Sequence, residues 1–104
     1  MKIYHNPRCR KSRETLQIIL DSGKEPQIIE YLKDTPSKDD VTAILELLEI
    51  SAQDLIRKGE AIYKDKFKGK TLSEEEWIDA MIENPKLIER PIVVSGNRAV
   101  IGRP

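Results

Sequence analysis

The only cysteine of this chain, Cys9, and its only histidine, His5, lie four positions apart in the segment HNPRCRKSRETL. A cysteine reacts as its thiolate, and positive charge or a helix N-terminus can lower its pKa from about 8.5 to roughly 3.5–7.5. Basic residues flank Cys9, and a helix is predicted to begin directly after it. The segment therefore predicts a reactive cysteine rather than an inert, buried one.

Two other side chains of this segment could act on the thiol. His5 could be a charge partner or proton acceptor for Cys9, or it could pack and hydrogen-bond locally. Ser12 could donate a hydrogen bond to the sulfur, or it could cap the helix, which is the commoner role for such a serine. The residue types alone leave both questions open.

Composition limits the classes of function. The 104 residues fit one compact domain, and 18 basic and 18 acidic side chains cancel, so no overall charge favours nucleic acid or an anionic membrane. No charged leader or membrane span is recognisable, and the default expectation is a soluble cytoplasmic protein. A single cysteine cannot form an internal disulfide, so redox chemistry would need a thiol from another molecule. One cysteine and one histidine do not supply the three or four ligands that zinc prefers, so a structural metal site is not expected.

Apolar spacing and turn residues predict the order β-α-β, then several helices, then β-β. The first elements predicted are a strand at 2–5, a helix from 10 or 11 that stops at Gly23, and a strand at 27–32. Three helices are predicted next: one capped by Ser37 and Asp40, a short one capped by Ser51 and Asp54 and ended by Gly59, and, after a loop at 63–71, one capped by Ser73 and Glu76 and closed at Asn84-Pro85. The last elements are strands at 92–95 and 98–101 around a turn at Gly96-Asn97. The first two strands should be parallel, because a helix separates them, and the last two antiparallel.

Four fragments occur in order along the chain: HNPRCRKSRETL, RKGEAIY, RPIVV and a closing GRP. Together they resemble the glutaredoxin-linked arsenate reductase family over nearly all 104 residues. The resemblance implies a single α/β domain over 1–104, with a thioredoxin-like four-stranded mixed sheet and an inserted helical segment at about 37–84. This agrees with the element order predicted from the residues.

The resemblance also implies a set of site residues. Cys9 corresponds to the nucleophile, and His5 corresponds to a histidine that influences its ionisation. Three arginines would bind the oxyanion, namely Arg57, Arg90 and Arg103. Arg90-Pro91 is similar to the cis-proline connection that thioredoxin-like folds place beside the reactive cysteine, so Pro91 would shape the pocket. Guanidinium groups suit this task because they stay charged and offer paired donors to an oxyanion.

The expected function is reduction of arsenate to arsenite through a covalent adduct on Cys9, as in arsenic detoxification. Glutathione would be a co-substrate and glutaredoxin a partner, with no bound metal or cofactor, no nucleic acid and no membrane involved. Two departures from the family pattern affect this expectation. Arg10 follows Cys9 where many relatives carry a smaller residue, so access to the sulfur or the preference among anions is expected to differ. Typical members continue beyond Pro104 into a helix that covers the sheet, so the expectation is an exposed apolar sheet face, a dimer or a rearranged packing.

Two alternatives remain. A glutathione-dependent thiol oxidoreductase acting on mixed disulfides would use Cys9 without requiring all three arginines. A non-enzymatic regulator that binds RNA polymerase is the other, since related thioredoxin-like proteins act in transcription. Those regulators typically carry a Cys-x-x-Cys pair, whereas this chain has Cys9 followed by Ser12.

Overall fold

The computed structural model describes residues 1–102, which belong to two compact units. One unit combines residues 1–35 with residues 90–102, and the other comprises residues 36–89. The sheet belongs to the first unit, and the second is helical. The assignment of 1–104 to a single domain stays a prediction.

The first unit is built on a four-stranded mixed sheet. Its elements are β1 (Lys2–His5), α1 (Arg10–Asp21), β2 (Gln27–Glu30), β3 (Ile92–Ser95) and β4 (Arg98–Ile101). The strands lie in the order β2-β1-β3-β4. β1 pairs parallel with β2 and antiparallel with β3, and β3 and β4 form an antiparallel hairpin. The predicted parallel first pair and final hairpin are confirmed.

Apolar side chains of the central strands form the core of this unit. Ile3 is fully buried and Ile92 is 1 % exposed, whereas Ile28 and Val100 on the outer strands are about half exposed. α1 lies over β1 and is followed by Gly23 in the left-handed conformation, φ +85°, which a glycine adopts without a steric penalty. The predicted stop at this glycine is confirmed.

The second strand is shorter than predicted. The run QIIEYL predicts a strand over 27–32, but β2 ends at Glu30. The backbone N–H groups of Lys33 and Asp34 both donate to the Glu30 carbonyl, at 2.9 and 2.8 Å, and this turn bends the chain away from the sheet. The strand prediction is therefore wrong for Tyr31 and Leu32, and Tyr31 instead lies buried in the turn, 1 % exposed.

The second unit is helical. Its elements are α2 (Lys38–Leu48), a 3₁₀ helix (Ala52–Leu55), α3 (Ala61–Lys66), α4 (Glu74–Glu83) and a second 3₁₀ helix (Pro85–Leu87). Its buried side chains include Val41, Ile44, Leu45, Leu55, Trp77, Ile78, Met81 and Leu87. Capping boxes begin α2 and α4 as predicted: the Ser73 hydroxyl accepts from the Glu76 N–H at 3.2 Å, and the Glu76 carboxylate accepts from the Ser73 N–H at 3.0 Å.

Two predictions in this unit are wrong. Residues 61–66 form α3 where a loop was predicted from 63 onward, because the rings of Tyr63 and Phe67 pack on Trp77, with ring centroids 6.4 and 5.9 Å apart. The helix capped by Ser51 is a 3₁₀ turn that ends at Leu55 instead of continuing through Ile56. Ile56 leaves the helix to form a β-bridge with Ile88.

Within residues 1–102, no helix is long and apolar enough to cross a membrane.

The capping box of α4 yields a stability prediction. Ser73→Ala removes the acceptor for the Glu76 N–H and is expected to lower the free energy of unfolding by about 1 kcal/mol, measured by urea denaturation. Ser73→Asp is the matched control, since aspartate also caps well, and it should stay within a few tenths of a kcal/mol of the parent. Equal losses in the two variants would contradict a capping role.

Candidate active site

The loop between β1 and α1 is held by its own polar groups. The Asn6 carbonyl accepts a hydrogen bond from the Cys9 N–H at 3.0 Å, which closes a turn with Pro7 at its second position. The Asn6 Oδ1 accepts from the Arg8 N–H at 3.0 Å, and the Arg13 guanidinium donates to the Pro7 carbonyl at 3.0 Å. The Asn-Pro pair that predicted a turn therefore determines where the cysteine lies.

Cys9 is the N-cap residue of α1, with an extended backbone. Burial of the thiol raises its pKa and is the largest single influence. The Ser12 N–H, the Arg90 guanidinium and the Lys11 N–H together outweigh it and leave the pKa of Cys9 below its usual value. The two N–H groups act from the opening turn of the helix, although neither forms a capping hydrogen bond of standard geometry with the side chain. The predicted thiolate-favouring environment is thus present.

Arg90 approaches the cysteine from the segment that leads into β3. Tyr4 on β1 pairs with Ile92 on β3, and Asn6 and Arg90 each lie two residues from this pair, at the same end of the antiparallel ladder. Arg90 acts on Cys9 both as a hydrogen-bond donor and as a positive charge. The Arg90–Pro91 peptide bond is cis, as the resemblance implies. One predicted oxyanion ligand therefore lies beside the predicted nucleophile.

Ser12 connects His5 with the loop. It is completely buried, its Oγ lies 2.6 Å from Nδ1 of His5, and it accepts the Asn6 N–H at 3.0 Å. Since the Asn6 N–H must be the donor in its bond, the single hydrogen of the Ser12 hydroxyl can go to Nδ1 when the imidazole is neutral. Ser12 thus contacts His5 through its hydroxyl and acts on the Cys9 sulfur through its own N–H.

The imidazole of His5 favours its neutral form. Burial is the main cause of its lowered pKa; Glu30 raises that pKa and Arg13 lowers it further. A neutral His5 matches the hydrogen bond assigned to Ser12. The prediction that His5 affects ionisation of Cys9 stays a prediction, and the geometry favours an indirect effect over direct proton transfer.

Of the other two predicted oxyanion ligands, the structure describes only Arg57. Arg57 belongs to the helical unit, where its N–H donates to the Leu87 carbonyl at 2.6 Å and its Nη1 lies 3.5 Å from the Glu60 carboxylate. Arg103 lies outside the described residues. Their roles as oxyanion ligands stay predictions of the resemblance. Arg10 pairs with Glu14 at 2.8 Å along the exposed face of α1.

Sequence reasoning missed two contributors, Asn6 and Tyr31. Asn6 was interpreted only as a turn residue, although it organises the loop and also lies beside the Tyr31 hydroxyl. Tyr31 was assigned to a strand, yet its phenol lies close to Asn6, Arg90 and Cys9. A possible signal for Tyr31 was its position directly after a strand that is parallel to β1, since the carboxyl ends of parallel strands share one edge of the sheet.

The described residues contain no group of three or more histidine, cysteine, aspartate or glutamate side chains placed to hold a metal ion. The expectation that no metal or cofactor is bound stays a prediction.

Comparisons with known proteins place this arrangement in a family. Residues 4–104 match the ArsC family. The chain belongs to the ArsC family. It is 50% identical to the uncharacterized protein YfgD of Escherichia coli strain K12, covering all of this chain and 89% of that one. It is 41% identical to an arsenate reductase of Acidiphilium multivorum, over 89% of this chain and 67% of the relative.

A solved structure is similar to this chain in both fold and sequence. The arsenate reductase from Vibrio cholerae superimposes with a TM-score of 0.94 and 43% identity, covering 99% of this ArsC-family chain and 89% of the other. The predicted family and its thioredoxin-like fold, a four-stranded mixed sheet with helices, are confirmed.

The position of Arg90 predicts how Cys9 ionises. Arg90→Gln removes a charge that stabilises the thiolate, so the pH profile of Cys9 alkylation by iodoacetamide should move to higher pH, by about one unit or less. Because the chain has a single cysteine, the rate reports on Cys9 alone. Arg98→Gln, an exposed arginine on β4, is the control and should leave the profile unchanged. Equal profiles for parent and Arg90→Gln would refute the assigned contact.

Burial of His5 yields a second prediction. Its NMR titration in the folded protein should have a midpoint below 6.5, and the urea-unfolded chain should titrate near 6.5. The unfolded chain then binds the proton more readily, so the His5 contribution to the free energy of unfolding is complete above about pH 6.5 and decreases as the pH falls through that value. A native midpoint at or above that of the unfolded chain would contradict the neutral assignment.

Proposed function

We propose that this chain reduces arsenate to arsenite, with Cys9 as the nucleophile and glutathione and glutaredoxin as the source of electrons. The observation that carries the proposal is the Cys9 thiol at the N-terminus of α1 with the Arg90 guanidinium beside it. Relatives named arsenate reductases, 41–42% identical to the chain, support the choice of arsenate.

The first step forms a covalent bond between sulfur and arsenic. The Cys9 thiolate attacks the arsenic of bound arsenate, and one As–O bond breaks as that oxygen leaves as water. Arg90 holds the anion by charge-assisted hydrogen bonds and offsets the negative charge that builds up during attack. A lowered thiol pKa serves this step because it keeps sulfur in the nucleophilic form at neutral pH.

Two electrons then pass to arsenic from sulfur. The thiolate of glutathione attacks the Cys9 sulfur of the adduct, and an S–S bond forms as the S–As bond breaks. The electron pair of the broken bond stays with arsenic, which leaves as arsenite, reduced from As(V) to As(III). A second glutathione thiol, delivered through glutaredoxin, reduces the mixed disulfide and restores Cys9. The external thiols are necessary because Cys9 is the only cysteine of the chain.

An activity assay tests this proposal. The purified protein, supplied with arsenate, glutathione and glutaredoxin, is expected to oxidise glutathione in a coupled NADPH assay with glutathione reductase. Cys9→Ser should abolish turnover. Arg90→Gln should lower kcat/KM by about tenfold or more, the loss expected for one charge-assisted donor, while Arg98→Gln should stay within about twofold of the parent.

The same preparation separates the alternatives. Turnover of a glutathione mixed disulfide without arsenate reduction would replace the proposal by the thiol oxidoreductase. Binding to RNA polymerase with neither activity would favour the transcriptional regulator, against which Ser12 in place of a second cysteine already argues.

A further inference from the structure

The hydroxyl of Tyr31 is a buried polar group with an unused hydrogen-bonding capacity. The side chain is 1 % exposed, and its Oη makes no hydrogen bond of standard geometry with the described residues. A buried hydroxyl without a partner costs about 1–3 kcal/mol of stability, and phenylalanine would fill the same space without that cost. Such a group therefore calls for an explanation beyond packing.

Tyr31, Asn6 and Arg90 lie just beyond the paired residues of three neighbouring strands. His5 on β1 and Glu30 on β2 form the last pair of the parallel ladder, and Asn6 and Tyr31 directly follow them. Arg90 precedes Ile92, the residue of β3 that pairs with Tyr4, by two positions. Asn6 and Arg90 both act on the Tyr31 hydroxyl, next to the loop whose Asn6–Cys9 hydrogen bond positions the sulfur.

The neighbours of the Tyr31 hydroxyl are donors. The Asn6 side chain lowers the pKa of the phenol through a hydrogen bond, which is the effect of a donor, so its amide N–H₂ is the group assigned to face the phenolic oxygen. Arg90 has only N–H donors. Both lower the pKa of the phenol, which burial, the larger influence, raises. The phenolic oxygen therefore faces two donors and is suited to accept from them.

We propose that the Tyr31 hydroxyl accepts a hydrogen bond from the Arg90 guanidinium when Cys9 is ionised, and that it thereby positions Arg90 beside the sulfur. Tyr31 is a positioning residue, because it acts on Cys9 through Arg90. The proposal rests on the proposed function, since it takes Cys9 as the reacting group and Arg90 as its electrostatic partner.

The variant Tyr31→Phe tests the proposal without arsenate. It removes only the hydroxyl, so Arg90 loses its acceptor and the alkylation profile of Cys9 should move to higher pH by about half a unit. At a pH where the Cys9 thiol is neutral and the proposed bond is absent, the melting temperature should stay the same or rise, because an unsatisfied buried hydroxyl is removed. Tyr63→Phe, whose ring packs on Trp77, is the matched control and should leave the profile unchanged.

A double-mutant cycle identifies the route of the effect. If Tyr31 acts through Arg90, adding Tyr31→Phe to Arg90→Gln should produce no further shift of the profile. An unchanged profile in Tyr31→Phe alone, a shift that persists in the Arg90→Gln background, or a shift accompanied by a lower melting temperature at a pH where Cys9 is neutral would each overturn the proposal. Should these shifts appear in a protein that does not reduce arsenate, the proposed function would fail and the role of Tyr31 would stand.

Discussion

A negative charge on the sulfur of Cys9 is the constraint on which the rest of the site depends. Burial opposes that charge, and the opening turn of α1 together with Arg90 offsets the penalty. Neither contribution is available to a cysteine on an extended strand, because the helix provides unpaired N–H groups and the neighbouring strand provides the guanidinium. The strand-loop-helix unit is therefore both the scaffold and the main electrostatic element of the site.

Hydrogen bonds of the buried Ser12 hydroxyl hold the N-terminus of α1 against the end of β1. Ser12 belongs to the first turn of α1, yet its hydroxyl joins His5 at the end of β1 and the backbone of Asn6. Removing that hydroxyl would leave two buried groups unsatisfied, which typically costs more than one hydrogen bond is worth. The serine therefore acts on the thiol through geometry, and it favours a neutral imidazole that adds no positive charge to the site.

Local signals in the sequence predicted the elements that local interactions stabilise. The capping boxes at Ser37 and Ser73 and the turn at Gly96-Asn97 each involve residues a few positions apart, so the residue types sufficed. α3 could not be found in this way, because its stability comes from Tyr63 and Phe67 packing on Trp77, which lies in another helix. Helix propensity and the spacing of apolar residues are local properties, so they do not predict packing against a residue of another helix.

The residues of the candidate site likewise divide into those that the local sequence predicts and those that only the fold brings together. Cys9, His5 and Ser12 lie on one short segment, and their residue types predicted the chemistry directly. Arg90 came from a resemblance to a family, because its approach to the loop depends on the pairing of β3 with β1, which are far apart in the sequence. Tyr31 was missed altogether: its burial looks like that of an ordinary core residue, and only the fold brings its hydroxyl close to Asn6 and Arg90. A buried hydroxyl without a hydrogen bond is unfavourable as packing alone, so the rules that predict a core from a sequence give no reason to expect one at this position.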